Sequence, residues 1–518
     1  MPLLAIDAGT GSVRAVIFTP EGIQLAAEGQ EWVHLSDPRY PGSMDFDTGS
    51  NFEIIAGCIR RALDRAGLKG SDITAVSATS MREGFVVYDQ AGQELWACAN
   101  VDARASAEVI ELRERFPDLE ARSYKSSGQT FALSAQPRLM WLARNEPGIY
   151  ERIASIGMIS DWVLTRLSGV LASDPSNASS SGIFSLADRA WSKDLALAAG
   201  LHGDIFPTMV ESGTTIGQVT HQAAELTQLV AGTAVVSGGG DAQLAALGLG
   251  MVKPEDTAIV GGSFWQQMVN IETLKTDPDM RIRIDPHAIP GLWQAEGISF
   301  NPGIAMRWFR DAFCQNEAKE ALALGKDPYD VLAAKAALVP PGSHGVIPIF
   351  SDTMNYGAWI HAAPSFLNLS LEVGKSGVPV LFRALMENAA IVSRSHLEII
   401  ASFTDANPQS IIFAGGAAKS DLWSQIVADV LQLPVRIPVV KEATALGAAL
   451  CAAVATGSYS SLAEAGTAVV RWEKTLEPNP SNRRIYDDAY TRWKAAYPPQ
   501  LQLVREGITK AMWRAPGI

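Results

Sequence analysis

Residues 7–14, DAGTGSVR, set a carboxylate, two glycines, two hydroxyls and a guanidinium between the apolar runs LLAI and AVIF. A glycine-rich turn offers its backbone N–H groups as a concave array of donors suited to phosphate oxygens. Thr10, Gly11 and Ser12 lie on that turn, and Arg14 adds a charge-assisted bond. Asp7, at the end of the first run, is a carboxylate that can hold a hydrated Mg²⁺ beside the phosphates, an ion that keeps several waters and takes one or two carboxylates. The plain alternative is a tight hairpin turn that needs glycine for its backbone alone. Two common phosphate motifs are excluded. A dinucleotide fingerprint requires G-x-G-x-x-G opening a helix, whereas Arg14 stands at the third glycine and a strand pattern follows. The Walker loop requires G-x-x-x-x-G-K-[ST], and GGAAKS (415–420) has Ala418 where its second glycine belongs.

The elements that must carry this turn are legible around it. LLAID and VRAVIFT read as strands flanking GTGS, and IQLAAEGQ follows as a third after PEG. Residues 51–67 have helical apolar spacing and a glycine stop. ITAVSAT (73–79) is a strand, and GFVVYDQAGQELWACAN a hairpin. TAVVSGGGD ends a strand in three glycines and Asp241, and a connector containing Pro254 follows. From residue 256 the opening pattern repeats: DTAIV, the turn GGS, then FWQQMVN. Later, QSIIFAGGAAKSDLWSQIVADVLQLPV reads as strand, glycine pair and helix, and KEATALGAALCAAVATG as a helix of small residues. YTRWKAAYPPQLQLVREGITKAMW reads as a final helix pair, open to a role in oligomerisation and leaving a homodimer open.

A chain of 518 residues is too long for one core. A formal net charge of −13 argues against a nucleic-acid footprint but not against a phosphorylated small molecule held by a local site. Four scattered cysteines without a CxxC spacing fit a reducing compartment rather than a disulfide framework. The seven histidines show no metal-ligand spacing. The start, MPLLAID, lacks a basic leader, and no run is long and apolar enough for a membrane span. The expectation is a cytoplasmic protein without membrane or nucleic-acid partners. Trp265, Trp308 and Trp423 are assigned to core packing.

DAGTGSVRAVIF, SGGGDAQLAALGLG, GGSFWQQ, FAGGAAKSDLWSQIVAD and EATALGAAL, in this order, resemble the FGGY family of carbohydrate kinases within the actin-like ATPase superfamily. The resemblance implies an α/β protein of two actin-like ATPase (ribonuclease H-like) domains, residues 1–247 and 248–518, closing on ATP and a small polyhydroxy substrate. It makes Asp241 the base, a role with a physical case beside it. A hydroxyl attacking phosphorus needs a proton acceptor within reach, and a carboxylate serves where the transition state is loose. A helix cap is the plainer job for such an aspartate. It assigns ATP contacts to Thr10, Gly11, Ser12, Arg14, Gly262, Ser263, Gly303, Arg307, Gly416 and Ser420, with Arg307 standing where glycerol kinases carry glutamine. Asp7 becomes the Mg²⁺ anchor. Arg82 and Glu83 in SMREG, with Asn100 and Asp102 in CANVDARA, become substrate contacts beside Asp241, and Arg104 orients Asp102.

Glycerol kinases place Gln after the catalytic Asp, where this chain has Ala242, and xylulose kinases place Trp where NVD has Asn100. SMREG, ACANVDARA, ISDW, DPSNA, FWQQ, MRWFRDAFC, FSDTM and PSFLNLS instead resemble the branch that phosphorylates the quorum-sensing molecule 4,5-dihydroxypentane-2,3-dione at its 5-hydroxyl. That branch is linked to the phosphocarrier protein HPr, so the resemblance implies this partner as well. A kinase for xylulose or another pentulose is the nearest rival. A non-catalytic ATP-binding switch of the actin or Hsp70 kind is the rival from another class.

Overall fold

Successive residues of LLAIDA point to opposite faces of a sheet, and both faces are covered. Leu4 and Ile6 pack with Phe52, Ile55 and Ile59 on one side, while Leu3 and Ala5 pack with Leu244, Leu247, Leu446 and Ala449 on the other. The computed structural model describes residues 1–132, 134–353, 360–440 and 442–514. Met354 of the FSDTM motif lies outside them.

The first lobe begins with the antiparallel meander β1 (Leu3–Ala8), β2 (Ser12–Phe18) and β3 (Gln24–Glu31), followed by α1 (Thr48–Ala66) and β4 (Ala75–Ser80). Gly67, left-handed at φ 65°, ends α1 where the sequence has its glycine stop. The chain then builds a small sheet from β5 (Phe85–Tyr88), β6 (Glu94–Cys98) and β7 (Ser155–Met158). It returns with β8 (Thr215–Gln218) and β9 (Ala234–Gly240), giving a six-stranded sheet in the order β8-β9-β4-β1-β2-β3. Here β9, β4 and β1 run parallel. α2 (Asp241–Gly248) follows β9 without a loop.

The second lobe repeats the plan with β10 (Thr257–Gly261), β11 (Trp265–Ile271), β12 (Arg283–Pro286) and β13 (Trp293–Ser299). After these come α3 (Pro302–Phe313), the long core helix α4 (Val378–Thr404), β14 (Ile411–Ala414), α5 (Asp421–Leu431) and β15 (Val435–Pro438). α6 (Ala443–Ala455), β16 (Trp472–Leu476) and α7 (Arg483–Arg505) complete it. Its seven-stranded sheet has the order β12-β13-β11-β10-β14-β15-β16. Both sheets contain the same core, three antiparallel strands and then two parallel ones, β3-β2-β1-β4-β9 and β13-β11-β10-β14-β15. This is the ribonuclease H-like arrangement of two actin-like ATPase domains.

α6, late in the chain, lies under the first sheet and crosses α2 at backbone contact. A Cβ on Gly447 would fall 2.0 Å from the Leu244 carbonyl oxygen, and one on Gly248 would fall 2.1 Å from that of Ala443. This close crossing is why the segment reads as a run of small residues.

Two expectations are corrected. The C-terminal segment is not a helix pair: α7 runs through Pro498 and Pro499, its face of Tyr486, Tyr490, Trp493 and Tyr497 buried in the second lobe. That burial outweighs the backbone bonds the prolines remove. Trp308 is 45% exposed, because α3 buries Ala305, Met306 and Phe309 and turns Ile304 and Trp308 outward. Trp265 and Trp423 are buried against Phe413 and each other. No helix of the described residues is long and apolar enough to cross a membrane.

Candidate active site

Three parallel strands of the first lobe bring chemistry to one edge of their sheet. Asp7 lies opposite Thr79 at the end of β1, Ser80 leads β4 into Arg82 and Glu83, and Gly240 lies beside Ser80 and leads β9 into Asp241. The crevice at the carboxyl ends of such strands is where open α/β sheets bind ligands.

The turn between β1 and β2 is held by its carbonyl groups. Trp32 Nε1 donates to the Gly9 and Thr10 oxygens, each at 3.1 Å. His34 Nε2 lies 2.6 Å from the Thr10 oxygen, and the Trp32 N–H donates to the Gly11 oxygen at 3.2 Å. Drawing the carbonyls to the Trp32 side leaves the opposite side of the turn to its donors. A Cβ on Gly11 would meet nothing within 4 Å, so the turn borders open space at that residue. Ser12 begins β2. Arg14, opposite Asp7 in the register, pairs with Glu442 at 2.8 Å, just ahead of α6.

In the second lobe, Gly262 and Ser263 form the β10–β11 turn, closed by a 2.9 Å bond from the Gly262 N–H to the Phe264 oxygen. α3 starts on top of it: a Cβ on Gly303 would lie 2.2 Å from the Gly262 oxygen. Gly415, at φ 88°, rests its backbone on Gly261, and Gly416 follows. Gly262, Ser263, Gly303 and Gly416 are thus brought together. Arg307 sits one turn further along α3 on its exposed face. Ser420 caps α5, its hydroxyl accepting the Trp423 N–H at 3.3 Å, so one of its lone pairs is already used.

The carboxylates at the centre repel one another. Removal from water pushes Asp7 up to about 7, the charge of Asp241 adds to this, and Arg14 opposes it. Burial likewise pushes Asp241 up to about 6, with Arg82 pulling it down and Glu83 and Glu296 pushing it up. Asp7 and Asp241 are therefore within electrostatic reach of one another. Asp241 Oδ1 also accepts the Ala242 N–H at 2.7 Å, but the N-cap of α2 is Gly240 and no side chain caps the helix, so Asp241 does not do the plainer capping job. The Gly240 N–H donates to Ser176 Oγ at 3.0 Å, and Ser176 donates to Asp174, which fixes the backbone entering Asp241.

Arg82 is buried, and its guanidinium faces three carboxylates: Asp241 at 3.4 Å, Asp285 at 3.2 Å and Glu296 at 2.7 Å. Burial would weaken its charge, but Glu296, Asp285 and Asp241 more than offset this. Glu83 pairs with Arg283 at 2.6 Å. It has φ 63°, unusual for a residue with a side chain, and this backbone is fixed from both sides. Ser180 Oγ accepts its N–H at 3.0 Å, and buried Arg138 donates to its carbonyl at 2.6 Å.

The CANVDARA loop is tied to its own framework. Both oxygens of Asp102 are occupied by Arg104 and by the Met44 N–H, and the side chain is fully buried. Arg104, stacked between Trp96 and Trp141, also binds Asp45. Arg104 thus holds Asp102 as expected, and its fork together with the Met44 N–H engages both carboxylate oxygens. Asn100 donates to Thr10 Oγ1 at 3.0 Å and so braces the β1–β2 turn. Arg138, Ser176, Arg283, Asp285 and Glu296 were not anticipated. The one signal for them was charge or hydroxyl inside otherwise apolar runs, such as the arginine in PRLMWL.

Residues 2–248 match the N-terminal domain, and residues 268–456 the C-terminal domain, of the FGGY family of carbohydrate kinases. The chain is 54% identical over 517 residues to the autoinducer-2 kinase of Escherichia coli (strain K12), covering 100% of this chain and 98% of that protein. It is 53% identical over 517 residues, with the same coverage, to the autoinducer-2 kinase of Salmonella typhimurium. The crystal structure of xylulose kinase from Rhodospirillum rubrum superposes with a TM-score of 0.86 at 27% identity, covering 98% of this chain and 100% of that one. Two matched domains and full-length relatives, on two sheets of one plan, make this chain a member of the FGGY family of carbohydrate kinases, phosphotransferases with an alcohol group as acceptor.

Proposed function

We propose that the chain transfers the γ-phosphate of ATP to the 5-hydroxyl of autoinducer-2, 4,5-dihydroxypentane-2,3-dione. In this reading residues 1–247 supply the substrate lobe, the first phosphate turn and the base, and residues 248–518 supply the nucleotide lobe. The observation that carries it is the convergence of Asp7, Arg82 and Asp241 at the ends of three parallel strands. Identity to autoinducer-2 kinases along the whole chain supports this substrate over other polyols.

Asp241 accepts the proton of the attacking hydroxyl as its oxygen bonds to phosphorus and the bond from phosphorus to the ADP oxygen breaks. In a loose transition state that proton leaves late, so a carboxylate of modest basicity suffices. Arg82 and Glu83 orient the substrate hydroxyls. Thr10, Gly11 and Ser12 cradle phosphate oxygens from one lobe, and Gly262 and Ser263 do so from the other. Gly303 and Gly416, with Arg307 on α3 and Ser420 capping α5, flank the nucleotide. Among the described residues no three His, Cys, Asp or Glu side chains converge on a metal position. The donor set nevertheless fits Mg²⁺, which needs one or two carboxylates and takes the rest of its shell from phosphate and water. Asp7, with its charge opposed by Asp241, would hold it, and when bound the ion neutralises charge developing on the phosphates.

ADP release measured on dihydroxypentanedione, xylulose, ribulose and glycerol tests the reading. The expected result is a saturable preference for dihydroxypentanedione. A preference for xylulose or ribulose would favour a pentulose kinase, the reading that the likeness to the Rhodospirillum rubrum enzyme supports. Tight ATP binding with no polyol phosphorylated, and no effect of Asp241→Asn, would indicate a nucleotide switch instead.

A further inference from the structure

The consecutive residues Arg82 and Glu83 leave the first lobe with opposite charges, and both are met by one two-stranded ribbon at the edge of the second lobe's sheet. In the β12–β13 register Arg283 lies directly opposite Glu296, and Asp285 lies two residues along the strand from Arg283. Alternation along a strand puts all three side chains on the same face. That face takes Arg82 on Asp285 and Glu296, and Glu83 on Arg283. Gln129 Nε2 and Ser179 Oγ, from the first lobe, donate to Asp285 Oδ1 at 2.9 and 3.1 Å. Gln243, on α2 two residues past Asp241, donates to Gln294 of the same ribbon at 2.9 Å. All of the charged side chains in this exchange are less than a tenth exposed.

Burying so many charges carries a desolvation penalty that attraction recovers only in good geometry, and an apolar contact of the same size is often no less stable. Stability alone is therefore a weak reason for the arrangement. Its geometric effect is specific: without the ribbon the Arg82 fork and the Glu83 carboxylate would each face water with several rotamers open to them.

We propose that Arg283, Asp285 and Glu296 are positioning residues of the kinase reaction, holding Arg82 and Glu83 in the geometry that binds substrate hydroxyls beside Asp241, so that the polyol pocket is complete only with the second lobe's ribbon docked. This deepens the functional reading above and rests on Arg82 and Glu83 being the hydroxyl contacts.

The test is steady-state kinetics of the full chain with dihydroxypentanedione and ATP, together with thermal melts, for Glu296→Gln, Arg283→Met and Arg283→Lys. Misplaced substrate-orienting groups cost on the order of 10²-fold. Glu296→Gln and Arg283→Met should therefore raise the polyol KM about ten- to hundredfold, leave the ATP KM within about twofold, and show partial rescue in Arg283→Lys. Lower melting temperatures with an unchanged polyol KM, or equal rises in both KM values, would overturn the proposal. Glu296→Gln preserves volume and hydrogen bonding, so it keeps the question answerable should Arg283→Met fail to fold. If the unaltered protein phosphorylates none of the four polyols, the substrate reading fails instead. The docking claim is then decided by the distance between spin labels on the two lobes, which Glu296→Gln must lengthen; an unchanged distance overturns it.

Discussion

Arg82 Nε stands 3.4 Å from Asp241 Oδ1. At this distance the guanidinium favours the ionised carboxylate without taking a lone pair in a short hydrogen bond, since its stronger contact is with Glu296 at 2.7 Å. Asp241 is thereby an available acceptor, less acidic than a carboxylate in water yet ionised at neutral pH.

Replacing it with asparagine keeps the shape and removes the proposed proton acceptor. Asp241→Asn should lower kcat by about 10²–10⁴, the usual contribution of a general base. The melting temperature should change little, because the Asp241 side chain is 36% exposed and Arg82 keeps Asp285 and Glu296 as partners. ADP-release kinetics beside a thermal melt checks both.

The same group sets an acid limit. Burial holds Asp241 at about 6, and only its ionised form accepts a proton. A plot of log kcat/KM should be flat above that value and should fall toward unit slope below it. A limb near pH 4 would mean that burial does not perturb the base.

Asp7 predicts a conflict between stability and activity. Its carboxyl is held at about 7 in the folded chain against an ordinary value of 3.8. The folded state therefore binds more protons than the unfolded state between these values, and this group's contribution to stability is lost as pH rises through about 7. Without nucleotide or Mg²⁺, Asp7→Asn should melt above the unaltered protein at pH 8, the gain in stability being at most about 4 kcal/mol. The difference should close near pH 4, while kinase activity should be abolished.

Gly303 predicts a nucleotide effect. The Cβ of Gly303→Ala would lie 2.2 Å from the Gly262 oxygen, a contact that must push α3 off the β10–β11 turn. The ATP KM should rise about tenfold or more while the polyol KM changes little, since a displacement near 1 Å in a positioned site costs up to about 10²-fold. Unchanged ATP kinetics would remove that turn from the nucleotide site.

The sheets were legible because their strands are short apolar runs punctuated by Gly and Pro, and because the strand-turn-strand pattern occurs twice. The placement of candidate residues was legible where they stand at a strand end, as Asp7 and Asp241 do. It was not legible where a side chain's role depends on a distant partner. Asp102 looks like a ligand in sequence and is saturated by Arg104 in space. Arg283, Asp285 and Glu296 look like surface alternation on an edge ribbon, until the first lobe covers them. Pro498 and Pro499 mislead for the same reason, since the burial of α7 rather than its local propensity decides their backbone.

The crossing of α2 by α6 bears on how this protein can be dissected. A fragment stopped at residue 247 would lack the cover that α6 gives Leu244 and Leu247, and would display an oily stripe beneath its sheet. The complementary fragment would carry α6 packed on Leu462, Ala465 and Val469 of its own lobe, with the face it turns to the first sheet left bare. Expressing the halves separately should give two insoluble products, whereas coexpressing them should let the late helix find its seat and return a soluble pair.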